Sequence, residues 1–167
     1  MKRIVFVFLI CLFFTNFCAA LEPVEGYWLS FDEKTKKASA GWELYVEGGK
    51  LYGKILSIAG YPQNSPALYC KESYQDFPLP GKVNAMPVVG TPWIFGLTKN
   101  RSGQWENGSI IDPEHGNMYK CRIIFHAALS ARQYQSDTLE VRGEIGLGIG
   151  RSVFWQRCTR QEAAALR

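Results

Sequence analysis

Residues 41–58 read Gly-Trp-Glu-Leu-Tyr-Val-Glu-Gly-Gly-Lys-Leu-Tyr-Gly-Lys-Ile-Leu-Ser-Ile. Apolar and polar side chains alternate on either side of Gly48-Gly49, the period at which successive side chains leave a strand on opposite faces. Two glycines between such runs readily take the positive φ of a two-residue hairpin turn. The stretch therefore reads as two antiparallel strands, with Trp42, Leu44 and Val46 on a core face.

Working outward, the same pattern predicts eight strands: Gly26–Phe31, Gly41–Glu47, Lys50–Ile58, Trp93–Thr98, Gln104–Ile111, Met118–Ala127, Thr138–Ile145 and Arg151–Cys158. Helical periodicity is confined to the end of the chain, where Gln161–Arg167 predicts a short C-terminal helix. Between Gly60 and Pro92 the alternation stops. Pro62, Pro66, Pro78, Pro80, Pro87 and Pro92 each lack the N–H that a central strand donates, so a long Pro-rich loop is expected, either crossing the surface or capping an opening as a lid or plug. Eight strands with no intervening crossover helices imply an all-β fold, and closure into an antiparallel barrel is favoured over a sandwich because it removes exposed edges. An eight-stranded barrel has an interior that side chains fill or that one small ligand occupies.

The N-terminus predicts an export signal over residues 1–20. Lys2 and Arg3 precede an uninterrupted apolar run from Ile4 to Phe14, too short to cross a membrane, and Cys18-Ala19-Ala20 places small residues where a signal peptidase cuts. The mature chain, residues 21–167, is expected to be a single barrel domain that is periplasmic or secreted, with no membrane span after cleavage. Acylation of Cys18, as in a lipoprotein, is the weaker alternative because Phe17 occupies a position that normally needs a small side chain. Loss of Lys2 and Arg3 lowers the net charge of +4 to +2, and the remaining cations are interleaved with acids, so nucleic acid is excluded as a partner. Lys34, Lys36 and Lys37 form the densest group and read as a solvated turn. Cys70, Cys121 and Cys158 allow at most one intramolecular bridge, and which two would pair is open.

Several ordered motifs run through the mature chain. They are Gly26-Tyr27-Trp28, Leu51-Tyr52-Gly53-Lys54-Ile55, Trp105 with Gly108, Ile110, Asp112-Pro113, Gly116 and Tyr119, then Leu139 with Val141-Arg142-Gly143, and Gly150-Arg151-Ser152 with Trp155 and Arg157. The set resembles the bacterial exported family designated domain of unknown function 2147, and Gly26-Tyr27-Trp28 resembles the opening Gly-x-Trp of lipocalin and other calycin barrels. The resemblance implies a calycin-like barrel in which Trp28 sits at the closed end beneath an arginine of the last strand, for which Arg157 is the candidate. It implies no established activity and no cofactor.

The residues that could carry a site are Trp28, Trp105, Asp112, Tyr119, Arg151, Trp155 and Arg157, as ligand-binding or structural motif residues. Strict alternation places Trp105 with Asn107 and Ser109 on one strand face, and Gly108, Ile110 and Asp112 on the other. Asp112-Pro113-Glu114-His115-Gly116 reads as a turn held by the Asp side chain rather than as a metal site. His126 is expected on an exposed polar face with Lys120 and Arg122, and Arg142 on the outside. Gly53 and Gly143, on inward faces, mark where room for a cavity is expected. No nucleophile elbow or metalloprotease helix is present, and Gly143–Gly150 precedes a strand rather than the helix that a phosphate loop needs.

The function expected is a non-enzymatic exported barrel that binds a small apolar or amphiphilic ligand or an envelope component. The alternatives are a structural or interaction protein with a filled core, or an enzyme with Asp112, His115 and Arg151 at one rim.

Overall fold

The computed structural model of the protein describes residues 21–167, so the expected export signal and Cys18 lie outside the described residues. Eight strands follow one another around a closed barrel: β1 Gly26–Phe31, β2 Ala38–Glu47, β3 Lys50–Ile58, β4 Pro92–Arg101, β5 Gln104–Asp112, β6 Asn117–His126, β7 Thr138–Gly146 and β8 Ile149–Cys158. Every neighbouring pair is antiparallel, as an up-and-down meander requires. The β1–β8 seam is the shortest, with Tyr27↔Cys158, Trp28↔Arg157 and Leu29↔Gln156 paired, so the part of β8 ahead of Gln156 has no ladder partner on its β1 side.

Cross-strand register sets the inward face. Trp28, Trp42 and Ile55 lie opposite one another on β1, β2 and β3. Leu44, Leu51, Ile94, Ile123, Leu139, Val141 and Trp155 add to the buried core. The alternation of residues 42–55 thus survives folding, and at the Gly41/Trp42 irregularity a bulge gives β3 one extra residue, Leu56, opposite β2.

A second bulge corrects the faces expected for β5. Trp105 pairs with Ile123 and Gly108 with Cys121, so Glu106 and Asn107 on β5 lie against Arg122 alone on β6, and Asn107 adopts φ 62° at the bulge. The extra residue reverses the parity, so Trp105 lies on the same inward face as Gly108 and Ile110, not with Asn107 and Ser109.

The Pro-rich segment between β3 and β4 is a strap across the outside of β4. A short 3-10 turn at Val83–Ala85 and a bridge between Pro66 and Pro87 give it internal structure. Phe77 packs on Trp93 and Phe95, with ring centroids 6.2 and 5.4 Å away, which buries the outer face of β4 as well as its inner one. Tyr74 donates its hydroxyl to the Gly116 carbonyl at 2.8 Å, tying the strap to the β5–β6 turn.

The C-terminal helix is α1, Arg160–Ala164, shorter than expected and closed at its start by a Thr159/Glu162 capping box. It rests on the outside of the barrel, where Ser57 Oγ donates to the Ala163 carbonyl at 2.7 Å. Gly41 permits this: a β-carbon there would lie 1.8 Å from the Ala163 carbonyl oxygen.

Two further expectations are corrected. His126 is half-buried, stacked on Tyr134 at 4.2 Å and paired with Glu140 at 3.2 Å, because the β6–β7 loop folds back over the sheet. Gly53 leaves no room, since a β-carbon would meet Ile94 at 3.1 Å in space that Ile94 and Leu44 already fill. Among the described residues Cys70, Cys121 and Cys158 are all free thiols. Burial pushes all three up, Cys158 to about 11, so they are protonated and poorly nucleophilic at neutral pH.

Candidate functional site

The two ends of the barrel are built differently. At the end where β1 begins, Trp28 is fully buried and donates its indole N–H to the Val24 carbonyl at 3.0 Å. The Arg157 guanidinium lies 4.2 Å over the Trp28 ring and 5.6 Å over that of Phe125. It also donates to Asp137 at 3.0 Å, to the Glu25 carbonyl at 3.1 Å and to the Pro23 carbonyl. These contacts use the planar fork, which satisfies several acceptors while its face covers an aromatic ring. Val24, just ahead of β1, is buried beneath this cluster, so the closed end is filled.

At the opposite end a cavity of about 630 Å³ opens to solvent. Ile110, Tyr119, Val141 and Val153 line its wall, and Trp42, stacked on Trp155 with centroids 4.7 Å apart, forms its floor. Gly143 makes the space: a β-carbon there would lie 3.5 Å from Tyr119 and 3.9 Å from Ile110, so a larger side chain would project into the void. Asp112 and Arg151 border the mouth with Ile145 and Ile149. Arg151 forms an ion pair with Glu33, across the part of the seam where β1 and β8 no longer pair. Among the described residues, none of the cavity's lining comes from the Pro-rich strap, so the strap is not its lid.

The residues singled out from sequence therefore separate. Asp112, Tyr119 and Arg151 meet at the cavity, Trp155 backs its floor, and Trp28 and Arg157 seal the far end. Trp105 is buried elsewhere in the barrel, its indole N–H without a partner among the described residues. Ile110 entered from sequence only as a motif member and not as a site residue, and Val153 and Glu33 were not distinguished at all. Their strand alternation signalled core at most, and nothing local announces an ion pair between the β1–β2 turn and β8.

The Asp112 turn has the local bonding expected of it. One carboxylate oxygen accepts the Glu114 N–H at 2.9 Å, and the other lies 2.8 Å from His115 Nδ1. The hydrogen bond and charge of Asp112 raise the His115 pKa above its ordinary value. Donor atoms of Asp112, Glu114 and His115 lie within 4.8 Å of one another, but the turn already engages both Asp112 oxygens. Arg142 faces outward, 2.6 Å from Glu144.

Residues 26–157 match the family described as "Uncharacterized protein conserved in bacteria (DUF2147)". The chain belongs to this family. In structure it is similar to HP1028 of Helicobacter pylori, a protein described as belonging to the lipocalin family, with a TM-score of 0.64 and 17% sequence identity over 85% of this chain and 87% of that one. At that identity the likeness is one of fold, and the fold of this family member is lipocalin-like: a closed eight-stranded antiparallel barrel with one short helix. A search of curated proteins by sequence returns no match. Among the described residues, no helix is long and apolar enough to cross a membrane.

Proposed function

We propose that this DUF2147 member is an exported, non-enzymatic binding barrel that takes a small apolar or amphiphilic ligand into its open end. The observation that carries the reading is the cavity of about 630 Å³, with walls of Ile110, Val141 and Val153 over a Trp42 floor. Its size lies within the roughly 300–1,000 Å³ typical of small-molecule sites, and so does its chemistry, a mostly apolar wall with few polar groups. Eight-stranded barrels of the lipocalin type are wide enough to hold one small ligand, and Gly143 keeps this interior from being filled. Asp112, Tyr119 and Arg151 at the mouth would orient a polar head while the apolar part enters. Export is inferred from the leader, with Lys2 and Arg3 ahead of the apolar run Ile4–Phe14 and a small-residue cleavage site ending at Ala20.

Native mass spectrometry of the protein purified from its own host tests the reading. A co-purifying apolar adduct, displaced by a fluorescent fatty-acid probe, is the expected result. A bare chain that also fails to take up the probe would sink it.

A further inference from the structure

The β7–β8 hairpin carries Ile145, Leu147 and Ile149 at its tip, and all three are exposed, at 73%, 101% and 62%. Leu147 has φ 49°, a left-handed conformation that branched and bulky residues seldom adopt, between Gly146 and Gly148, which also have positive φ. The turn thus holds a large apolar side chain fully in water at a position suited to glycine or asparagine. Neither solubility nor turn geometry accounts for that choice.

The surroundings identify what would cover it. The β1–β2 turn lies at the same barrel end, joined to the start of β8 by the Glu33–Arg151 ion pair. It carries Lys34, Lys36 and Lys37, all exposed, and among the described residues none of them forms an ion pair. The acids of that turn are engaged: Asp32 accepts the backbone N–H groups of Lys34 and Thr35, and Glu33 holds Arg151. Asp112, which His115 pairs, and Glu114 are the opposing charges on the β5–β6 side of this end. An apolar tip a few side chains across, flanked by unpaired lysines, has the arrangement that inserts into a headgroup layer while cations contact phosphates.

We infer that the open end docks on an anionic phospholipid surface, with Ile145, Leu147 and Ile149 entering the interface and Lys34, Lys36 and Lys37 contacting the phosphates. The inference goes beyond the binding-barrel reading and does not need the cavity to be filled. Ile145 and Ile149 also border the cavity mouth, so docking would face that mouth toward the lipid.

The test is co-sedimentation of the chain beginning at Leu21, which carries the whole barrel and lacks the apolar leader. The vesicles are phosphatidylcholine alone and phosphatidylcholine with about a third phosphatidylglycerol. Binding to the anionic vesicles is expected, weakened about tenfold or more by Leu147→Asp. The triple variant Lys34→Glu, Lys36→Glu, Lys37→Glu should remove the preference for anionic lipid. Near-UV circular dichroism should show each variant folded. No binding by the parent chain, or undiminished binding by Leu147→Asp, would overturn the inference. So would Leu147-dependent self-association without vesicles, which would assign the face to a second copy of the chain. Uptake of the fatty-acid probe by Leu147→Asp in vesicle-free buffer is expected to stay unchanged, which separates failure of docking from failure of the cavity reading.

Discussion

The closed and open ends of this barrel share strands but follow opposite rules. At the closed end each polar atom of the Arg157 guanidinium is directed at a partner, its face covers Trp28, and Trp28 in turn bonds the Val24 carbonyl. At the open end Gly143 leaves a void, Arg151 is held by an exposed ion pair, and apolar residues of the hairpin tip stand in water. The contrast separates stability from function: interlocking contacts at one end fix the barrel, which allows the other to remain unfilled.

The largest effect that could break this contrast is at Trp28. Trp28→Ala should cost about 3–5 kcal/mol, as truncation of a fully buried aromatic does, and it also removes the surface under Arg157. Urea unfolding measures it, and a loss below about 1 kcal/mol would mean that the closed end does not hold the barrel together. Arg157→Met comes next, at about 2 kcal/mol. It keeps some apolar cover but loses the cation–π contact and takes the guanidinium donors away from the Glu25 carbonyl and Asp137 Oδ2. Lysine should not rescue it, because a single ammonium cannot reproduce the planar fork.

Gly143→Leu sharpens the comparison from the other side. It fills existing space, so stability should change by less than about 1 kcal/mol, whereas affinity for the fatty-acid probe, read by fluorescence titration, should fall about tenfold or more. Equal loss of stability and binding would show that the open end is as tightly packed as the closed one. The smallest effect is electrostatic. Because Asp112 raises the His115 pKa, their interaction is fully present below the ordinary histidine value of 6.5 and is lost as pH rises through the higher folded value. His115 is exposed and solvent-screened, so nuclear magnetic resonance titration is the readout. Asp112→Asn should return His115 toward 6.5, and an unchanged titration would remove Asp112 as the cause.

Much of the molecule was legible one residue at a time. The alternation around Gly48-Gly49, the breaks at Gly and Pro, and the absence of helical periodicity gave all eight strands to within a few residues. A period of two follows from backbone geometry alone, which is why it can be read locally. The Trp28–Arg157 contact was available only through the family resemblance, since nothing in the chain around residue 157 names a partner at residue 28.

Other features depended on the packed whole. The bulge at Asn107 reverses which side of β5 Trp105 faces, and a left-handed φ at one asparagine leaves no mark on the hydrophobic pattern. The Pro-rich segment had the composition of a loop, but the packing of Phe77 on Trp93 and Phe95 made it a strap on β4 rather than a lid. Gly53 and Gly143 are alike in sequence, both on inward faces, yet one is filled by Ile94 and the other opens the cavity. The sequence by itself determined that the chain forms strands and which residues alternate, because those follow from dihedral geometry and local turn chemistry. Only the tertiary structure decided where the interior is full and where it is empty, because a cavity is set by which distant side chains meet across the barrel.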